Sequence, residues 1–205
     1  RQCCAFHLQY FPETTLLSKL GDVQDRIERH ITAPLLRLPI ASLHMTVVTL
    51  IDAIAHFTVP NHEVWKLRGG EWKEIIDKLV EKTPPFDLEF SEVATSEAAV
   101  FIKAAEPPGL HELRSAISDA ICFEDRRPRP PQIAHITLFR FSAAERISKV
   151  NLDIGFTPIG ITVRSLQLLE ERVYPSIEIN KLSAPLLQGR AGETSRAPGR
   201  TAVEL

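Results

Sequence analysis

The chain has 205 residues, 44% of them hydrophobic and 24% charged. That is ample apolar material for the core of one ordinary domain, and it excludes a disordered chain, a collagen-like polymer and a disulfide-stapled miniprotein. Lys plus Arg number 24 against 26 Asp plus Glu, a formal net charge of -2, which excludes an extended basic surface of the kind that wraps a long polyanion and confines any nucleic-acid contact to a local patch.

The elements follow from apolar period. A strand is expected over 3–10. After Pro12, Leu16, Leu20, Val23, Ile27 and Ile31 recur every three or four residues and predict an amphipathic helix that Pro34 and Pro39 end. A strand over 43–50 and an irregular, His-containing stretch to Gly70 precede a second helix over 71–82, stopped by Pro84 and Pro85. Residues 86–93 alternate, with Phe86, Leu88 and Phe90 on one face and Asp87, Glu89 and Ser91 on the other, and 99–105 reads as the hairpin partner. A third helix over 110–122, a basic proline-rich loop over 126–132, strands over 134–141, 161–170 and 174–182, and a helical turn over 143–150 complete the expected set. Interleaved helices with hairpin-linked strands favour an α+β fold over a doubly wound parallel sheet. From Gln188 the chain has no period and few large apolar residues, so the expected division is a domain over 1–187 and a disordered tail over 188–205.

Cys3, Cys4 and Cys122 form neither a disulfide framework nor a zinc-ligand spacing. A reducing compartment, cytoplasmic or nuclear, is expected. The longest apolar stretch, 43–59, is broken by His44, Asp52 and His56 and falls short of a membrane span, so a soluble protein is expected with no membrane partner and no obligate protein partner. The chain opens at Arg1 without a starting Met or a charged-then-apolar leader, which leaves targeting open.

Two expected strands share a pattern. Leu43-His44-Met45-Thr46-Val47-Val48 and Ala134-His135-Ile136-Thr137-Leu138-Phe139 each place a His and a Thr two residues apart among apolar residues. The strand period of two sends His44 and Thr46 out of one face and Leu43, Met45 and Val47 out of the other, and does the same for His135 and Thr137. With seven His in the chain, one His-x-Thr arises by chance roughly 0.4 times. Two copies with matched flanks, 91 residues apart and each preceded by a helix, are what a duplicated half-domain produces, with a pseudo-two-fold axis bringing both polar faces to one cleft. Two imidazoles facing one phosphate can take a proton from the attacking oxygen and give one to the leaving oxygen, while two Thr hydroxyls hydrogen-bond the non-bridging oxygens.

The motifs His44-Met45-Thr46-Val47 and His135-Ile136-Thr137-Leu138 resemble the signature of the two-histidine phosphoesterases, the LigT-like superfamily. The resemblance covers most of the chain to about Leu182. It implies a bilobal fold with two antiparallel sheets lining a central cleft and helices outside. It also implies a phosphodiesterase acting without a metal or cofactor on a 2′,3′-cyclic phosphate or a related RNA-end linkage, with His44 and His135 as acid and base and Thr46 and Thr137 on the phosphate. The partner so implied is an RNA end or a cyclic nucleotide. Two alternatives stand beside it: a non-catalytic module that binds nucleotides or RNA ends, and a small-molecule cyclic phosphodiesterase.

Further candidates are weighed against plain structural roles. Phe139 shares the His135 face on strict alternation and would stack on a base, against core packing. Arg140 occupies the place of an Arg common in relatives, but alternation turns it away from His135 unless a bulge intervenes. Arg126, Arg127 and Arg129 would catch an RNA backbone, against a solvated charge run blunted by Glu124 and Asp125. His7 and Gln9 share the polar face of the first strand, and Tyr174 opens the last one. Trp65 and Trp72 read as packing residues, and His30, His56, His62 and His111 as surface or core residues. Two strand histidines without a third ligand at a recognisable spacing are no zinc signature.

Overall fold

The alternating and helix-periodic stretches become nine strands and three α-helices in the computed structural model, which describes residues 1–31, 34–141 and 154–189. In chain order these are β1 (Gln2–Tyr10), α1 (Thr14–His30), β2 (Leu35–Arg37), β3 (Met45–Ile51), α2 (Asn61–Lys82), β4 (Phe86–Thr95), β5 (Ala99–Ala104), α3 (Pro108–Ala120), β6 (Ala134–Phe141), β7 (Ile159–Val163), β8 (Gln167–Val173) and β9 (Glu178–Ser183). A 3-10 turn at Ile40–Ser42 leads into β3.

All pairings are antiparallel, in a four-stranded sheet ordered β3-β1-β8-β9 and a five-stranded sheet ordered β2-β6-β5-β4-β7. The fold is α+β, and its duplication is visible in the order. Reading β6-β5-β4-β7 against β3-β1-β8-β9 matches motif strand to motif strand, with β2 added at one edge. In both sheets the strand beside the motif strand is the one that enters the preceding helix, β1 before α1 and β5 before α3. The helices cross over: α1, from the first half, lies against β6, whereas α3, from the second half, lies against β3, with α2 on β1. Helix α1 buries Leu16, Leu20, Val23 and Ile27 at helical spacing, each worth roughly 1.5–3 kcal/mol of transfer free energy.

The structure departs from the expected elements where tertiary packing overrides local signals. Helix α2 starts ten residues before the expected 71, at Asn61 behind Pro60, and runs through Gly69 and Gly70. A Cβ on Gly69 would lie 2.5 Å from the Trp65 ring. That indole is stacked on Phe6 at 4.3 Å and meets Trp72 edge-on at 6.3 Å. The glycine is therefore room for a tryptophan rather than a helix stop, and both tryptophans pack as expected.

The single strand expected over 161–170 is two strands in different sheets, β7 and β8. The chain crosses between them at Arg164–Leu166, tied by Leu166 N–H to Pro185 O at 3.1 Å and Leu187 N–H to Arg164 O at 2.9 Å. Tyr174 opens a turn containing a cis Tyr174–Pro175 bond, and the last strand starts only at Glu178. Strand β2, between prolines that read as breakers, pairs Leu35–Arg37 with Phe141–Phe139. The helical turn expected over 143–150 and residues 190–205 of the tail lie outside the described residues. Gly189, inside that expected tail, still bonds Thr83 O through its N–H at 3.2 Å. Among the described residues no helix is long and apolar enough to cross a membrane.

The two adjacent glycines should respond with opposite signs. Gly70 is exposed with nothing within 4 Å of an added Cβ, so Gly70→Ala should stabilise by about 0.5–1 kcal/mol. Gly69→Ala should destabilise by about 1–3 kcal/mol through overpacking against Trp65. Urea unfolding midpoints of the two variants check both signs.

Candidate functional site

Strand β3 and strand β6 meet where the two sheets adjoin, and the four motif side chains line one cavity of about 230 Å³. His44 precedes β3 rather than lying within it. Its Nδ1 is 2.8 Å from Ser42 O, and His135 Nδ1 is 3.2 Å from Ile133 O. A carbonyl only accepts, so both Nδ1 atoms carry the proton and both Nε2 atoms are left as acceptors. The environments match further: Phe11 lies 5.8 Å from the His44 ring and Phe101 lies 5.4 Å from the His135 ring.

A bulge in each motif strand decides what else reaches the cavity. Along β1 and β3, Leu8 faces Val48 and Gln9 faces Thr46, so Val47 is an extra residue. Along β5 and β6, Val100 faces Phe139 and Phe101 faces Thr137, so Leu138 is extra. One inserted residue shifts the alternation by one place. The cavity side therefore runs His44, Thr46, Thr49 in the first strand and His135, Thr137, Arg140 in the second, all six lining the cavity. Strict alternation would have sent Val48 and Phe139 there. Phe139 instead packs in the core at 0% exposure, which corrects the expectation that it walls the cleft. Arg140 faces the cavity through the bulge that its position requires.

Arg140 extends over Tyr174, its guanidinium carbon 5.3 Å from the ring centroid. Its buried Nε has no hydrogen-bond partner among the described residues. Tyr174, 43% exposed, lines the cavity mouth with Pro175. His7 and Gln9 line it as well, and both are fixed by groups that the sequence reading did not single out. His7 Nδ1 is 3.1 Å from Thr49 Oγ1, and His7 Nε2 is 3.6 Å from the Glu171 carboxylate. Glu171 accepts from the Ser176 N–H and, at 3.0 Å, from its hydroxyl, and Gln9 Nε2 donates to Ser176 Oγ at 3.2 Å. The one available signal for Glu171 was the acidic pair Glu170-Glu171 at the end of the expected strand.

Burial pushes the Glu171 carboxyl up, but the His7 and Ser176 hydrogen bonds outweigh it and hold the group below the usual carboxylate range. Burial lowers His44 to about 4, with the like charges of His7 and His135 adding to it against the Ser42 carbonyl and Glu171. Burial also lowers His135, helped by the Arg114 and Arg140 guanidiniums. Both motif imidazoles are therefore neutral at pH 7.

Arg129 does not line this cavity. Its backbone pairs both ways with Thr49, at 3.1 and 3.3 Å. With Arg126 and Arg127 it borders a neighbouring cavity of about 480 Å³ that shares Thr49 and Asp52 as its wall with the histidine cavity and includes Phe57 and Phe123. Arg127 is tied to Ser118 O, Asp119 O and the Asp119 carboxylate, and Arg126 lies 5.5 Å over the Phe57 ring. His30, His56, His62 and His111 line neither cavity. Among the described residues no group of three or more His, Cys, Asp or Glu side chains is arranged to hold a metal.

The profile of the 2′-5′ RNA ligase superfamily matches residues 22–174, a span that includes both motifs. The chain belongs to that superfamily. Its fold is similar to that of TT0787 from Thermus thermophilus, with a TM-score of 0.66 at 19% identity over 91% of this chain and 100% of that one. It is also similar to Escherichia coli LigT, solved with phosphate, with a TM-score of 0.57 at 16% identity over 91% and 99% of the two chains, and to LigT solved with 3′-AMP, with a TM-score of 0.56 at 16% identity over the same shares. No curated protein matches the chain. The superfamily assignment and these likenesses agree with the two-histidine resemblance read from the motifs.

The depressed His44 value has a thermodynamic consequence. Between pH 6.5 and about 4 the unfolded chain binds this proton and the folded one does not. Stability associated with His44 is therefore complete above pH 6.5 and is lost as the pH falls toward 4. The difference in urea midpoint between the wild type and His44→Asn should shrink or change sign across that window and be constant above pH 7.

Proposed function

We propose that the protein is a phosphodiesterase that hydrolyses a 2′,3′-cyclic phosphate or a related RNA-end phosphodiester by two-histidine acid and base catalysis without a metal. The observation that carries this reading is the matched pair of imidazoles, each with Nδ1–H held on a carbonyl, beside Thr46, Thr137 and Arg140 in one cavity. LigT, solved with phosphate and with 3′-AMP, supports a nucleotide phosphate as the class of occupant.

In the proposed step one neutral imidazole Nε2 takes a proton from water as the water oxygen bonds to phosphorus. The other, as imidazolium, gives its proton to the ribose oxygen as that P–O bond breaks. The Thr46 and Thr137 hydroxyls and the Arg140 guanidinium donate to the non-bridging oxygens, where negative charge gathers in the transition state. Since both imidazoles start neutral, the acid's proton must be taken up from solvent as the phosphate binds. Its negative charge raises the pKa of the imidazole it meets.

The adjoining cavity favours an RNA end over a small cyclic phosphodiester. It shares a wall with the site and holds the Arg126 guanidinium over an aromatic ring, with Arg129 beside it, the combination that binds a further base and phosphate.

Three outcomes are expected. In EDTA the wild type should convert 2′,3′-cyclic nucleotides to monophosphates, and His44→Ala and His135→Ala should each lower kcat by about 10²–10⁴-fold. Binding without product from a cyclic nucleotide or a cyclic-ended oligomer would leave a binding module instead. Calorimetry of 3′-AMP binding at pH 7 in two buffers of different ionisation enthalpy should register net proton uptake, and its absence would break the acid assignment. Arg129→Ala should raise KM about 3–10-fold for a cyclic-ended oligomer and leave the cyclic mononucleotide unchanged. Equal effects on both substrates would return the small-molecule reading.

A further inference from the structure

Each bulge carbonyl accepts from a buried polar side chain sent across from the helix of the other half of the chain, and Leu138 O accepts the Leu38 N–H at 3.0 Å as well. Gln24 of α1 is 0% exposed, and its Nε2 donates to Leu138 O at 3.0 Å and to Leu38 O at 2.9 Å. Its Oε1 accepts from Arg37 Nε at 3.2 Å, and Arg37 is itself held by Asp25 at 2.6 Å and Glu28 at 2.9 Å. The amide cannot flip, because flipping would set its oxygen against two carbonyls and its NH₂ against a guanidinium. Arg114 of α3, 2% exposed, does the same for the other strand: Nε donates to Val47 O at 2.9 Å and a terminal nitrogen to Thr46 O at 3.0 Å, while Glu106 holds the rest of the guanidinium at 2.9 Å.

We propose that Gln24 and Arg114 are positioning residues of the two-histidine site. By holding the carbonyls of Leu138 and Val47, they keep the bulged registers that turn Arg140 and Thr49 into the cleft. This rests on the phosphodiesterase reading of that cleft. The choice Gln24 enforces is binary. With the bulge, Arg140 faces the phosphate and Phe139 the core; with the strand slipped back into even register, a phenyl ring faces the phosphate and the guanidinium is driven inward. Arg114 enforces the matching choice in the first strand between Thr49, which carries His7, and Val48. Without Gln24, Leu138 O keeps only the Leu38 N–H, and without Arg114, Val47 O loses its side-chain donor; a buried carbonyl that loses a donor shifts the balance toward such a slip.

The test is a double-mutant cycle that separates positioning from general support. Gln24→Leu should lower kcat/KM for a 2′,3′-cyclic nucleotide by about tenfold or more. In an Arg140→Ala background the same substitution should cost less than about twofold, because the residue it positions is gone. The shift in urea midpoint caused by Gln24→Leu should be the same in both backgrounds. Activity losses that simply multiply would assign Gln24 to stability alone and overturn the proposal. Arg114→Lys, which keeps the charge on Glu106 but cannot span two carbonyls, is the second variant should Gln24→Leu fail to fold. Its effect on kcat/KM should vanish in a Thr49→Val background, and persistence there would equally overturn the proposal. If the wild type hydrolyses none of these substrates, the phosphodiesterase reading falls and a crystal structure of the folded variant decides the positioning alone. Arg140 or Thr49 displaced from the cleft is expected, and an unmoved bulge with the side chain in place would refute it.

Discussion

The cleft depends on a change of phase in two strands. A regular strand places every second side chain on one face, so a His and a Thr two residues apart would be followed by an apolar residue two further on. Inserting Val47 in one strand and Leu138 in the other breaks the rhythm after the Thr and brings the third residue round instead. The first half of each motif thus obeys the period of a sheet, and the second half escapes it. What escapes is the part that differs between the two strands: Thr49, which fastens His7 and through it Glu171, and Arg140, which reaches over Tyr174. Two copies of one template therefore furnish a matched imidazole pair with unlike flanks.

Electrostatics follow from that arrangement. The cavity collects three imidazoles and a guanidinium with a single buried carboxylate, Glu171, paired to His7. Burial keeps the two motif imidazoles neutral at pH 7, so neither adds a standing positive charge to the cleft. Among the described residues Arg140 is the one arginine that lines it. A chain with a net charge of -2 needs no basic surface to attract one phosphate if a guanidinium and two threonine hydroxyls already line the proposed phosphate site.

The sequence made legible whatever depends on period alone. The His-x-Thr pairs, the apolar backs of their strands, the hairpin of β4 and β5 and the amphipathic face of α1 all follow from spacings of two or of three to four residues. The bulges were not legible, because neither Val47 nor Leu138 is the glycine or proline that usually marks an irregular strand. For that reason alternation leaves Phe139 between cleft wall and core, and turns Arg140 outward unless a bulge intervenes. The first ten residues of α2 read as an irregular stretch ending at Gly70, because the Trp65 indole that Gly69 makes room for is visible only in three dimensions. The break between β7 and β8 was hidden because Arg164-Ser165-Leu166 contains no glycine or proline to mark it. Gln24 and Arg114 look like ordinary polar residues of amphipathic helices until the helices are placed on strands of the opposite half.

That crossed placement makes the molecule interlocked. Helix α1 departs from the four-stranded sheet and serves the five-stranded one, and α3 does the reverse. Cutting the chain between the halves would part each motif from the side chain that completes it, leaving two fragments whose exposed helix faces and bare carbonyls fit only one another. The duplication therefore does not divide into two working units: each half carries the finishing piece of its twin.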